Sequence, residues 1–61
     1  MNWQHFEVWS VDEDGHEDIV ETTGSLKEAR QIAEANITED YVECIIYQEV
    51  DGELEEVERI R

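Results

Sequence analysis

The chain has 61 residues but no proline, one cysteine and only four basic residues, and Lys27 is its sole lysine. A single cysteine excludes an intramolecular disulfide, so no covalent cross-link can compensate for the small core of so short a chain. No apolar run is long enough to span a bilayer, and no secretory or organelle-targeting pattern begins the chain. These absences predict one small domain over residues 1–61 and a cytoplasmic location.

Acidic residues dominate what is present. The chain carries 18 aspartate and glutamate residues against 4 lysine and arginine residues, for a formal net charge of −14. A surface of this sign repels phosphate groups, which argues against direct binding to nucleic acid or to anionic membranes. The charge instead favours a basic protein or peptide as partner, and it predicts that self-repulsion makes stability depend on salt.

Two turn signals and one capping box divide the chain. Asp12–Gly15 ends in Asp-Gly, a strong hairpin signal, and Val50–Glu53 encloses a second Asp-Gly as a two-residue loop. Ser25 and Glu28 form a capping box, in which the Ser25 hydroxyl accepts a backbone N–H while Glu28 reaches back to the Ser25 N–H. The predicted elements are strands at residues 1–11, 16–23, 41–50 and 53–60, and a helix from Leu26 to Asn36 or Ile37.

This order of elements predicts an α+β fold, a single ββαββ domain. Its four-stranded antiparallel sheet has the strand order 2-1-3-4, with the acidic strands at the edges, where charge resists edge-to-edge aggregation. The turns predict four cross-strand pairs, Ile19 opposite Val8, Ile46 opposite Val57, Glu49 opposite Leu54 and Glu43 opposite Ile60.

Alternation along residues 41–50 separates two faces of the sheet, because successive strand side chains point to opposite sides. One face carries no charge on the central strands, whereas the other holds carboxylates whose burial without partners would cost several kcal/mol each. The helix is therefore predicted to cover the uncharged face. The residues predicted beneath the helix are Phe6, Val8, Ile19, Val42, Cys44, Ile46, Val50 and Val57.

The opposite face, called the open face below, combines aromatic rings with carboxylates. Protein interfaces favour Trp and Tyr anchors ringed by polar groups, and both aromatic faces and carboxylates attract Arg and Lys. Val11 and Ile60 are also predicted on this face. The residues predicted to form a protein interface are Trp3, Glu7, Trp9, Tyr41, Glu43, Ile45, Tyr47, Glu49 and Leu54.

Catalytic signals are weak. Ser25 is explained as a helix cap, and Cys44 falls on the core face, where a neutral thiol behaves as a small hydrophobe. His5 and His16 have no spacing that pairs either with a nucleophile. The chain is therefore predicted not to be an enzyme and to have no cofactor.

The acidic run Asp12–Asp18 is the one stretch that suggests a metal. Clustered carboxylates attract hard cations, but a calcium loop needs glycine at its sixth position and a glutamate at its twelfth. Here Gly15 is the fourth residue of the run, where a hairpin turn requires it. Weak and unspecific cation association is expected, without a dedicated metal site.

Two functional hypotheses follow from the charge and the open face. In the first, the chain is a non-enzymatic acidic binding protein, an inhibitor or nucleic-acid mimic whose carboxylates occupy the phosphate-binding groove of a nucleic-acid-binding protein. The alternative is a homodimeric accessory domain, in which two open faces pack together and the acidity serves solubility or salt tolerance.

Overall fold

The computed structural model describes residues 5–61 and contains four strands and one helix. They are β1 (His5–Asp12), β2 (Glu17–Thr23), α1 (Leu26–Ala35), β3 (Tyr41–Val50) and β4 (Glu53–Ile60). All neighbouring strands pair antiparallel in the order β2-β1-β3-β4. The predicted ββαββ fold and its strand order are confirmed. The start of the first predicted strand, including Trp3, lies outside the described residues.

Both hairpin turns have a local chemical cause. Asp51 and Gly52 have φ angles of 51° and 83°, and two consecutive positive φ values are characteristic of a tight hairpin loop that matches the strand twist. In the first turn, Oδ1 of Asp12 accepts hydrogen bonds from the backbone N–H groups of Asp14 and His16, each at 2.9 Å. The aspartate side chain thus fixes the path of the chain between β1 and β2.

Helix α1 begins at a capped end. Oγ of Ser25 accepts from the Glu28 backbone N–H at 3.3 Å, as the capping box predicts. The reciprocal contact differs, because the Thr23 hydroxyl donates to Oε2 of Glu28 at 2.6 Å and accepts from the Ser25 N–H at 3.4 Å. The Thr23 hydroxyl therefore lies between the Glu28 carboxylate and the Ser25 N–H, which a capping box would join directly. The helix ends at Ala35, where the Asn36 side chain caps the last turn.

The helix packs on the predicted face of the sheet. Ala29 and Ala33, at the centre of its contact surface, have no exposed area, and such small side chains let a helix lie close to a sheet. The buried core comprises Phe6, Val8, Ala29, Ala33, Cys44 and Ile46, with Val20, Leu26, Ile32, Ile37 and Ile60 partly buried around it.

A bulge in the pairing of β1 with β2 changes which β2 residue faces the helix. Val8 pairs with Glu21 and Trp9 pairs with Ile19, so one extra β2 residue lies between the two pairs. Val20 consequently packs against the core, while Ile19 is 50% exposed. The prediction that Ile19 lies opposite Val8 and beneath the helix is wrong, because an inserted residue reverses the facing of its neighbours.

A second bulge does the same in the pairing of β3 with β4. Next to the turn, Glu49 lies opposite Leu54 as predicted. Beyond it, Ile46 lies opposite Glu58 rather than Val57, and Val57 is 41% exposed. The prediction that Val57 lies beneath the helix is therefore wrong for the same physical reason.

The end of β4 is shifted by the same bulge. Ile60 lies opposite Cys44 instead of Glu43 and packs against the core, so its predicted place on the open face is wrong. Glu58 now reaches the helix, where it accepts from Nε of Arg30 at 2.7 Å. The bulge thus contributes both an apolar residue and an ion pair to the helix side of β4.

The sheet extends beyond the helix at both ends. A ten-residue helix is about 15 Å long, whereas a ten-residue strand such as β3 extends about 33 Å. Val42 and Val50, predicted beneath the helix, are accordingly 45% and 39% exposed. Within residues 5–61, no helix has the length and apolar character needed to cross a membrane.

Candidate functional site

The centre of the open face is a pair of aromatic rings from the two central strands. Trp9 on β1 and Tyr47 on β3 meet edge to face, with ring centroids 6.2 Å apart and ring planes at 88°. Leu54 and Glu17, from the two edge strands, complete the lining of a shallow hollow of about 300 Å³. These four residues form what is called the aromatic hollow below.

One hydrogen bond orients the charged rim of the aromatic hollow. The Tyr47 hydroxyl donates to Oε1 of Glu17 at 3.0 Å, across three strands of the sheet. Burial raises the pKa of Tyr47, and the hydrogen bond to the Glu17 carboxylate raises it further. The phenol therefore stays protonated at physiological pH and continues to hold the carboxylate beside the rings.

Ile45 is on the open face but is buried by its neighbours. It lies between Trp9 on β1 and Arg59 on β4, and only 2% of its surface is exposed. Although the alternation places it on the open face, it presents almost no surface to a partner. Its apolar side chain stabilises the floor beside Trp9.

At one end of the face, His5, Glu7 and Glu49 come together. Nε2 of His5 lies 2.7 Å from Oε2 of Glu49 and 3.6 Å from Oε2 of Glu7. The other oxygen of Glu7 accepts from the Trp9 indole N–H at 3.1 Å. His5 was not among the predicted site residues, although its place two residues before Glu7 puts it on the same strand face.

Glu43 is paired within the chain. It accepts a hydrogen bond from Arg59, and its second oxygen lies 3.2 Å from Nε of Arg61. Arg59 also donates to Glu56 at 2.8 Å, and these two carboxylates raise the pKa of the guanidinium while Arg59 lowers the pKa of Glu56. Sequence reasoning missed both arginines because only the bulge places Arg59 opposite Ile45, on the open face.

Tyr41 does not join the aromatic hollow. It pairs with Asp12 beyond a third bulge, and it lines a separate hollow of about 340 Å³ whose other walls are acidic. The residues around that second hollow are Asp12, Glu13, Asp14, Asp40 and Tyr41. Trp3, the remaining predicted interface residue, lies outside the described residues.

The acidic turn and the cysteine have local explanations. Ligand atoms of Asp12, Asp14 and His16 lie within 4.8 Å of one another, but Asp12 already accepts the two backbone N–H groups of its turn. The hydrogen bond from the His16 backbone lowers the pKa of Asp12. Cys44 is fully buried, and burial raises the pKa of its thiol, which leaves it neutral and inaccessible.

Comparison of the chain with protein-family models, with curated proteins and with solved structures finds no match. The function therefore has to be inferred from the residues of the open face themselves.

Proposed function

We propose that this chain is a non-enzymatic acidic binding protein that engages a basic protein partner through the open face. The observation that carries the proposal is the aromatic hollow, which lies on the side of the sheet that α1 leaves uncovered. The hollow is part of a chain whose formal net charge is −14, and the Glu17 carboxylate is in its lining. Trp9 and Tyr47 are partly exposed there and Leu54 is 45% exposed, and an apolar patch that no element covers is typical of an interaction site.

The chemistry of the hollow suits an arginine or lysine side chain. The faces of Trp9 and Tyr47 attract a cation through their ring quadrupoles. Leu54 offers apolar contact to the aliphatic stem of such a side chain. Glu17 is held at the rim by Tyr47, and a carboxylate there forms a charge-assisted hydrogen bond with a guanidinium or ammonium group.

The class of partner follows from the sign and density of charge. Proteins that bind nucleic acid present Arg and Lys where a duplex presents phosphates, and an acidic domain can occupy the same groove. Inhibition by nucleic-acid mimicry is therefore the specific form of the proposal. It predicts that a partner's binding to this chain and to DNA is mutually exclusive.

A charge-matched pair of variants tests the site. Glu17→Gln removes one charge from the hollow, whereas Glu34→Gln removes one from the exposed surface of α1 on the other side of the sheet. An arginine-rich peptide, titrated against each by calorimetry, is expected to bind Glu17→Gln about two- to fivefold more weakly than the Glu34→Gln control. Trp9→Ala is expected to lose at least as much, with circular dichroism confirming that each variant folds.

Equal losses in the two glutamate variants would show that only bulk charge attracts the peptide, and the open face would no longer be the proposed site. Competition with a short DNA duplex for a basic DNA-binding protein tests the mimicry separately. Simultaneous binding of the duplex and this chain to that protein contradicts it.

The homodimeric accessory domain remains the second candidate, and one observation favours it. Unpaired carboxylates at the centre of the open face would oppose a dry interface, but Glu43 is partnered by Arg59 and Arg61. Ile19 and Leu54 add exposed apolar surface. Sedimentation equilibrium distinguishes the two candidates. A dimer that the Leu54→Glu substitution dissociates would support the homodimeric accessory domain. A protein that is monomeric at all concentrations would exclude the homodimer.

A further inference from the structure

We propose that His5, Glu7 and Glu49 form a binding site for a divalent transition metal ion, and Zn²⁺ is the ion used to test it. One potential ligand atom from each residue lies within 4.8 Å of the other two. The site goes beyond the proposed function, because it requires no protein partner.

The register of the sheet brings the three side chains together. His5 and Glu49 are directly opposite one another in the β1–β3 pair, and Glu7 follows His5 by two residues on the same strand face. Directly opposed residues and next neighbours on one face are the positions whose side chains touch in an antiparallel sheet. The convergence thus depends on the two central strands and on no flexible loop.

The distances suit a metal ion. Zinc binds imidazole nitrogen and carboxylate oxygen at about 2.0–2.2 Å, so neighbouring ligands of a tetrahedral ion lie roughly 3.3 Å apart. Nε2 of His5 is 2.7 Å from Oε2 of Glu49 and 3.6 Å from Oε2 of Glu7, which brackets that separation. Small side-chain rotations would accommodate the ion, with water in the fourth position.

A contact outside the cluster orients one of its ligands. The Trp9 indole N–H donates to Oε1 of Glu7 at 3.1 Å, while Oε2 of the same carboxylate is directed to His5. Metal-binding side chains are commonly held in this way by a second hydrogen bond. The Glu7 side chain is only 16% exposed, which weakens the competition from solvent for its charge.

The donor set predicts which metals bind. Imidazole combined with carboxylates suits zinc, cobalt and nickel, whereas calcium and magnesium prefer oxygen ligands alone and more of them. The Asp12, Asp14 and His16 group is different, because its side chains are more exposed and Asp12 is engaged in the turn. It provides a histidine in an acidic setting, and so a matched control.

Calorimetric titration of tag-free protein with zinc chloride tests the site. We expect one saturable binding event, weakened roughly tenfold or more by His5→Gln and by Glu49→Gln and left unchanged by His16→Gln. Magnesium chloride in excess should not displace the zinc. In ¹H–¹⁵N spectra, zinc should shift the Trp9 indole N–H signal, which Trp9→Phe identifies by its disappearance.

Four results would overturn the proposal: no saturable zinc binding, equal weakening by His16→Gln and His5→Gln, displacement of zinc by magnesium, or a Trp9 indole signal that zinc does not shift. Circular dichroism shows whether the variants remain folded. If His5→Gln does not fold, the unchanged protein still decides the matter, since zinc that leaves the Trp9 indole signal in place does not bind beside Glu7.

Discussion

Trp9 and Tyr47, one from each central strand, meet edge to face with their ring planes at 88°. Such pairs contribute about 0.5–1.5 kcal/mol beyond the apolar area that they bury. We expect a double-mutant cycle of Trp9→Leu and Tyr47→Leu, measured by urea denaturation, to give a coupling free energy in that range. Tyr47→Phe keeps the ring and should retain the coupling to Trp9. Strictly additive effects would contradict a specific contact between the rings.

The bulge in β3–β4 predicts opposite outcomes for two residues of β4. Ile60 packs against the core, so Ile60→Ala should lower the free energy of unfolding by about 1–3 kcal/mol, less than a fully buried site would lose. Val57 is 41% exposed, and Val57→Ala should cost about 0.5 kcal/mol or less. Denaturant midpoints of the two variants check this. A larger loss of stability for Val57→Ala than for Ile60→Ala would instead support a β3–β4 register without a bulge.

Tyr47 gives the fold a dependence on alkaline pH. Its folded-state pKa is raised above the ordinary value of 10.0, chiefly by burial and then by the Glu17 carboxylate. The protonated phenol therefore stabilises the fold fully below about pH 10, and this contribution is lost as pH rises through the folded-state pKa.

Tyr47→Phe keeps the ring and removes the titrating group, so its stability should fall less steeply above pH 10 than that of the unchanged protein. Cys44, whose pKa is raised by burial, is present in both proteins and cancels in the difference. Denaturation across an alkaline pH series, with phenolate absorbance as the titration signal, measures the effect. Parallel stability curves for the two proteins would rule it out.

Added salt should stabilise the fold. Acidic residues outnumber basic ones by 18 to 4, so screening of repulsion outweighs the weakening of exposed ion pairs such as Arg30–Glu58. The melting temperature should rise steadily as sodium chloride increases from low to molar concentration. A melting temperature that stays flat would also remove salt tolerance as a reason for the acidity.

The topology was predictable because its signals are local and physical. Both Asp-Gly turns and the Ser25 cap are encoded within a few residues. The uncovered face followed from the cost of burying Glu7, Glu43 and Glu49. Strand order then required only that the two hairpins join through their aromatic strands.

The bulges were not predictable in this way. The register shifts lie between Val8 and Trp9 and between Ile46 and Tyr47. No glycine marks either shift, and the pattern of apolar and polar residues does not reveal that the partner strand has an extra residue there. Their consequence is large, because Ile19 and Ile60 exchange faces with their neighbours. Arg59 reaches Glu43 by the same shift, so the internal neutralisation of that carboxylate was hidden as well.

The pairing of β1 with β3 joins the two hairpins within one sheet, and its paired residues lie between 29 and 44 positions apart along the chain. An isolated two-stranded hairpin is at best marginally stable in water. The β3–β4 hairpin alone is therefore not expected to keep its structure, and it depends on this long-range pairing. We expect that a fragment holding β3 and β4 gains its structure only in the presence of the β1–β2–α1 fragment, whose β1 strand supplies the missing pairing.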